Sequence, residues 1–143
     1  MATVVLDDHL LRDWLAGPDS ALRRAIGRSE VATTNLWYAR LCKSAASHGG
    51  GALLQAWSSR ERDAVVAGLI ALPNEITVIP MAQLAWRIGQ LVHSFSGLST
   101  LGAEAVAAAE QLGARLLVSS RDDGPGIRAA AVALGLKYAT LQR

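Results

Sequence analysis

Cysteine is almost absent: Cys42 stands alone in 143 residues. A single thiol excludes an intramolecular disulfide and a cysteine-built zinc cluster, and it fits a reducing compartment. Aromatic residues are sparse at 5%, so the core must be built from alanine and branched aliphatics, as in helix-rich packing with small contact residues. Neither sign of charge dominates. Fourteen basic and 12 acidic side chains leave a net charge of +2, which permits an anionic partner without demanding one. No apolar run approaches the roughly 20 residues needed to cross a bilayer; the longest lies around Ala64 to Pro73. The opening Met-Ala-Thr-Val-Val-Leu-Asp-Asp has neither the charged n-region nor the long apolar stretch of a secretory leader. The expectation is a soluble cytoplasmic protein with no membrane partner. Nucleotide-binding signatures are missing too: there is no phosphate loop and no Gly-x-Gly-x-x-Gly. His48-Gly49-Gly50-Gly51 superficially looks like an esterase oxyanion loop, but no Gly-x-Ser-x-Gly elbow accompanies it, which excludes an acyl-transfer triad. His9, His48 and His93 show no metal-ligand spacing.

What is present is a chain that is 51% hydrophobic and alternates strand and helix patterns. Its length fits one domain over residues 1–143. Thr3 to Leu6 reads as a buried strand, followed by a helix from Asp8 to about Ala16 that Gly17-Pro18 ends. Asp19 to Gly27 reads as a second helix and Glu30 to Thr33 as a short strand. Thr34 or Asn35 can cap a helix running to about Ser47. Gly49-Gly50-Gly51 is a loop, and Leu53 to Leu72 forms one or two helices with a restart at Ser58-Ser59. Ile76 to Ile79 is the next strand. Met81, Leu84, Ile88, Leu91 and Phe95 then keep a helical stripe after Pro80. A further helix ends at Leu112 with Gly113 as its C′ residue. Ala114 to Ser120 is a strand, Pro125 opens a last helix, and Lys137 to Leu141 closes the chain as a strand. Strands separated by helices imply a three-layer α/β/α sandwich around a mostly parallel sheet.

Two acidic pairs carry the functional signal. Asp7-Asp8 follows the first strand and Asp122-Asp123 follows the Ala114 to Ser120 strand. In a parallel sheet both emerge at the carboxyl edge, where open α/β folds bind ligands. Carboxylates gathered there from distant parts of a sequence point to a hard-cation site of the Mg²⁺ or Mn²⁺ type. The competing explanation is that each pair caps a helix, since aspartate is a preferred N-cap. Glu104 lies in the first turn of its helix on what reads as a solvated face, and the same pattern has dipole compensation as its plain explanation. Arg23, Arg24, Arg28, Arg60 and Arg62 read as solvated stripes. Trp14, Trp37, Trp57 and Trp86 fall on predicted helices, where packing is the default.

The opening Val4-Val5-Leu6-Asp7-Asp8-His9-Leu10-Leu11 resembles the start of a response-regulator receiver domain. That likeness stops after about ten residues: the aspartate after a third strand and the lysine after a fifth have no counterparts. A wider resemblance, to PIN domains including VapC-type toxins, runs over nearly the whole chain. Leu6-Asp7-Asp8-His9 is similar to that family's opening strand, in which an acid is followed two residues later by Asn, Ser or His. Thr34-Asn35-Leu36-Trp37-Tyr38-Ala39-Arg40-Leu41 resembles its next helix, and Leu116-Leu117-Val118-Ser119-Ser120-Arg121-Asp122 its ending. The resemblance implies a PIN-like fold and an acid cluster holding Mg²⁺ or Mn²⁺ for RNA hydrolysis. It also implies a homodimer and an antitoxin-like protein partner. Carried over residue by residue, Asp7 takes the first acid's place. The second acid falls at about Ala39 and the third at Gly102, where no acid stands. Glu104 lies two residues beyond the latter, about 200° around a helix. The fourth falls at Arg121, with Asp122 one residue on and Arg121 itself repelling a cation. The implied reading is Asp7 and Asp122 as catalytic metal ligands, with Asp8, Glu104 and Asp123 assisting, in an incomplete site of weak or absent activity. The alternative is a non-catalytic protein- or RNA-binding module of the same fold.

Overall fold

The computed structural model describes residues 2–143. Five strands form one sheet in the order β3-β2-β1-β4-β5, with every neighbouring pair parallel. The strands are β1 (Thr3–Leu6), β2 (Glu30–Thr33), β3 (Ile76–Val78), β4 (Arg115–Ser119) and β5 (Tyr138–Leu141). Parallel neighbours cannot be joined by a hairpin, so each connection runs through helix. The helices are α1 (Asp8–Ala16), α2 (Ser20–Ile26), α3 (Asn35–Ala46), α4 (Gly51–Leu54), α5 (Ser59–Ile70), α6 (Met81–Ser94), α7 (Thr100–Leu112) and α8 (Pro125–Ala133).

The pleat divides the core in two. Val4, Leu6, Val31 and Leu117 turn to one face, against Leu10 and Leu11 of α1, Leu22 of α2, Leu41 of α3 and Val65 of α5. Val5, Ala32, Leu116 and Val118 turn to the other, against Leu84 and Ile88 of α6, the alanine-rich α7 and Ile127 of α8. A strand covered on both faces has no polar side to keep, which is why β1 reads as a continuous apolar run. Each fully buried leucine or valine contributes about 1.5–3 kcal/mol. Trp37, in the first turn of α3, reaches the α6–α8 side and is 1% exposed. The tryptophans otherwise divide: Trp57 lies in the turn after α4 rather than on a helix, with Arg12 stacked over its ring, and Trp86 is exposed.

Local chemistry sets the element ends. Ser58 and Glu61 close a capping box at the restart before α5. Gly113 ends α7 at φ 60°, a left-handed conformation that glycine adopts without strain. The chain runs outward from β1 to β2 and β3, then returns to the other side of β1 for β4 and β5. The order therefore reverses between β1 and β4. Their carboxyl ends flank the crevice in which such folds place ligands.

Candidate metal centre

The reversal brings Asp7, the residue after β1, beside Ser119, the last residue of β4. The Ser119 backbone N–H and hydroxyl both donate to Asp7 Oδ2, at 2.8 and 2.6 Å. Asp7 Oδ1 accepts from the Leu10 N–H at 2.9 Å and caps α1. Capping and site-building are thus the work of one carboxyl group, with one oxygen for each. Asp8 is fully buried; its Oδ1 accepts from the His9 N–H and lies 2.9 Å from His9 Nδ1. Asp122, in the turn after β4, faces the same imidazole, its Oδ2 3.4 Å from Nδ1. The second pair does not cap the helix that follows it, since α8 starts from Gly124 without a side-chain cap. Ligand atoms of Asp7, Asp8, His9 and Asp122 lie within 4.8 Å of one another.

Arg40, one residue beyond Ala39 on α3, crosses to this group. Its Nε lies 3.0 Å from Asp8 Oδ2 and its Nη2 3.5 Å from Asp122 Oδ1. The cation expected at Arg121 is therefore supplied by Arg40, while Arg121 is exposed. Glu104 and Asp123 stand elsewhere. Glu104 is not on a solvated face; it is fully buried and accepts from the Asn35 N–H, the Leu36 N–H and Asn35 Nδ2, at 2.9, 2.9 and 2.6 Å. Its carboxylate holds the start of α3. Asp123 pairs at the surface with Arg128 and accepts from the Tyr138 hydroxyl. At Gly102 an added Cβ would lie 3.0 Å from Leu98 Cδ1, so a carboxylate has no ready room there. Of the sequence candidates, Asp7, Asp8 and Asp122 converge. His9, Arg40 and Ser119 were missed. The acid-x-His pattern after β1 was the available signal for His9; nothing local marked Arg40, whose role depends on the direction α3 takes.

Burial pushes the Asp7 carboxyl up to about 7, against the lowering effect of its Ser119 and Leu10 donors. Burial also raises Asp8, with His9 opposing it. Burial alone would depress His9, but the carboxylates of Asp122 and Asp8 outweigh it and hold the imidazole up at about 9. Asp122 experiences the same burial, yet the neighbouring His9, Asp8 and Asp7 groups, with the Arg40 charge alongside, hold it well below the usual carboxylate range.

Asp7 and His9 each bind a proton more tightly folded than unfolded, so their contribution is full below the unfolded values of 3.8 and 6.5 and is lost as pH rises through about 7 and about 9. Asp122 has the opposite sign, and its contribution is lost only below its unfolded value of 3.8. Metal-free protein should therefore lose on the order of 2 kcal/mol from about pH 5 to about pH 9, with His9 discounted for its solvent exposure. Calorimetric melting should show Tm falling by roughly 5 °C. A profile flat over that range would mean that the cluster does not hold its protons.

Two buried oxygens, Asp8 Oδ2 and Asp122 Oδ2, have no hydrogen-bond partner. Arg40 and His9 lie close enough to interact with them as charges but are not aligned to donate. Buried carboxylate oxygens with unused lone pairs are the donor set of Mg²⁺ or Mn²⁺. The residues present fit such an ion, provided Asp7 and His9 release their protons and Arg40 gives way. The side chain of Arg40 is 44% exposed and has solvent to turn into.

No family model and no curated protein matches the chain. Its fold is similar to that of FitAcB from Neisseria gonorrhoeae, with a TM-score of 0.54 over 95% of this chain and 96% of that one, at 17% identity. The likeness is one of fold, a PIN-like three-layer α/β/α sandwich.

Proposed function

We propose that the protein is a metal-dependent ribonuclease of PIN-like fold whose activity is held low by cations of its own. The observation that carries this reading is the pair of partnerless buried oxygens, Asp8 Oδ2 and Asp122 Oδ2, converging at the β1–β4 crevice. A Mg²⁺ or Mn²⁺ ion held there supplies Lewis acidity to a phosphodiester and lowers the pKa of a water nucleophile. Asp8 and Asp122 are the residues that would hold the ion. Asp7, fixed by Leu10 and Ser119, braces the site from behind and adds charge once it ionises. Arg40 and protonated His9 already neutralise much of that charge, so an ion must compete with both, and activity is weak. A homodimer, an antitoxin-like protein partner and a cytoplasmic setting accompany this reading on the family resemblance.

A second reading, a non-catalytic protein- or RNA-binding module, is favoured by the same Arg40 contacts, which place a cation against the two carboxylates an ion would need. Calorimetric titration with Mn²⁺ separates the two. Wild type should bind in the micromolar range, more tightly at pH 8 than at pH 6 because Asp7 has then lost its proton and the proton on His9 is easier for the ion to displace, and the Asp8→Asn plus Asp122→Asn double variant should not bind. Absence of binding at either pH, or binding indifferent to the double substitution, would leave only the non-catalytic module.

A further inference from the structure

Beside the acid cluster lies a cavity of about 310 Å³, lined among others by His9, Arg40, Lys43, Ser47 and Gly51. Lys43 follows Arg40 by three residues on α3, so the two side chains share a helix face. Lys43 is exposed, and among the described residues no carboxylate pairs with it. The wall opposite is held in place. The buried Ser44 hydroxyl donates to the Gly50 carbonyl at 2.7 Å and accepts from the Leu53 N–H at 2.9 Å. A Cβ at Gly51, where φ is 58°, would lie 2.8 Å from that hydroxyl, so only glycine lets the chain pass this close to α3.

Two permanently cationic side chains, Arg40 and Lys43, thus line one cavity, and Arg40 belongs both to it and to the acid cluster. An acid cluster alone repels a polyanion. A cationic pocket one side chain away draws it in and sets its register, since phosphate contacts position a strand.

We propose that this cavity is a docking subsite for a phosphate of single-stranded RNA, the one next to the phosphate that faces Asp8 and Asp122, with Lys43 and Arg40 as its cationic contacts. The assignment deepens the nuclease reading by supplying the substrate-holding part of that site, and it rests on that reading for the identity of the strand. Guanidinium and ammonium groups both suit phosphate, the first by its planar fork and the second as a point charge.

The test is binding of a short single-stranded RNA to the full chain with a chelator present, so that no divalent ion contributes. Lys43→Ala should weaken binding about fivefold and reduce the salt slope by about one phosphate contact. Lys43→Glu should weaken it further, and excess inorganic phosphate should compete. Lys137→Ala, at the amino end of β5 on the opposite edge of the sheet, serves as the charge-matched control and should leave binding unchanged. RNA binding indifferent to Lys43→Ala, or weakened equally by Lys43→Ala and Lys137→Ala, would overturn the subsite. The Mn²⁺ titration is scored separately. Lys43-dependent RNA binding without Mn²⁺ binding keeps the subsite and removes the hydrolase, whereas Mn²⁺ binding without Lys43 dependence does the reverse.

Discussion

Replacing Glu104 by alanine should lower stability by about 3–4 kcal/mol, one of the largest losses available to a single side chain outside the apolar core. Glu104 is fully buried, and the acid cluster contains the ion pairs of Arg40 but none of Glu104. Its charge is answered by two backbone N–H groups at the start of α3, the Asn35 amide and the positive end of a 12-residue helix. Truncation leaves the two backbone N–H groups without an acceptor, leaves Asn35 Nδ2 with the Ile79 carbonyl alone, and frees the first turn of α3, from which Trp37 enters the opposite core. Chemical denaturation should show the midpoint moving with little change in m, and Tm should fall by roughly 10 °C. Glu104→Gln should fall between the two, since its amide keeps one acceptor but turns a donor toward donors. Asp123→Asn, altering a surface carboxylate, should change little. A loss for Glu104→Ala no larger than for Asp123→Asn would show that Glu104 does not hold α3.

The second large effect concerns Arg40. Arg40→Glu should tighten Mn²⁺ binding by roughly 10- to 100-fold, and Arg40→Ala by less. Removing a positive charge 3.0 and 3.5 Å from the two carboxylates relieves repulsion with an incoming cation; at an effective dielectric near 20 this is on the order of 2 kcal/mol after allowance for the exposed guanidinium. The glutamate also adds an acid one residue from where the family resemblance expects one. Without metal, the same variant should be less stable than wild type, because four carboxyl groups would then crowd the crevice with only His9 to answer them. Rising metal affinity with falling metal-free stability is the signature to look for in paired titration and melting experiments. Unchanged affinity would show that Arg40 does not restrain the site.

Legibility in the sequence followed the range of the interaction responsible. Strand and helix positions were readable because they follow from local patterning: the β-branched run of β1, the stripe after Pro80, and Gly113 at the end of α7. The observed bounds fall within a residue or two of those expectations. The acid cluster was partly readable. Asp7, Asp8 and Asp122 all follow strands, and a parallel sheet sends the residues after its strands to one edge. Glu104 was misplaced because the pattern of its own helix cannot show that the first turn of α3 approaches it from another part of the chain. Arg40 was passed over for a related reason: guanidinium groups reach several ångströms beyond their helix, and sequence neighbours do not say what lies there.

By itself, the sequence determined the element order, the apolar runs that must be covered on both faces, and the acids available at strand ends. Those depend on side-chain chemistry and backbone periodicity alone. Tertiary structure decided which strands are neighbours. The order β3-β2-β1-β4-β5 sets β1 beside β4 and so joins Asp7 to Ser119 and Asp122 across more than 100 residues of chain. It also decided the electrostatics. A carboxyl group is acidic or not according to what buries it and which charge faces it, and here burial raises Asp7 while His9 and Arg40 lower Asp122.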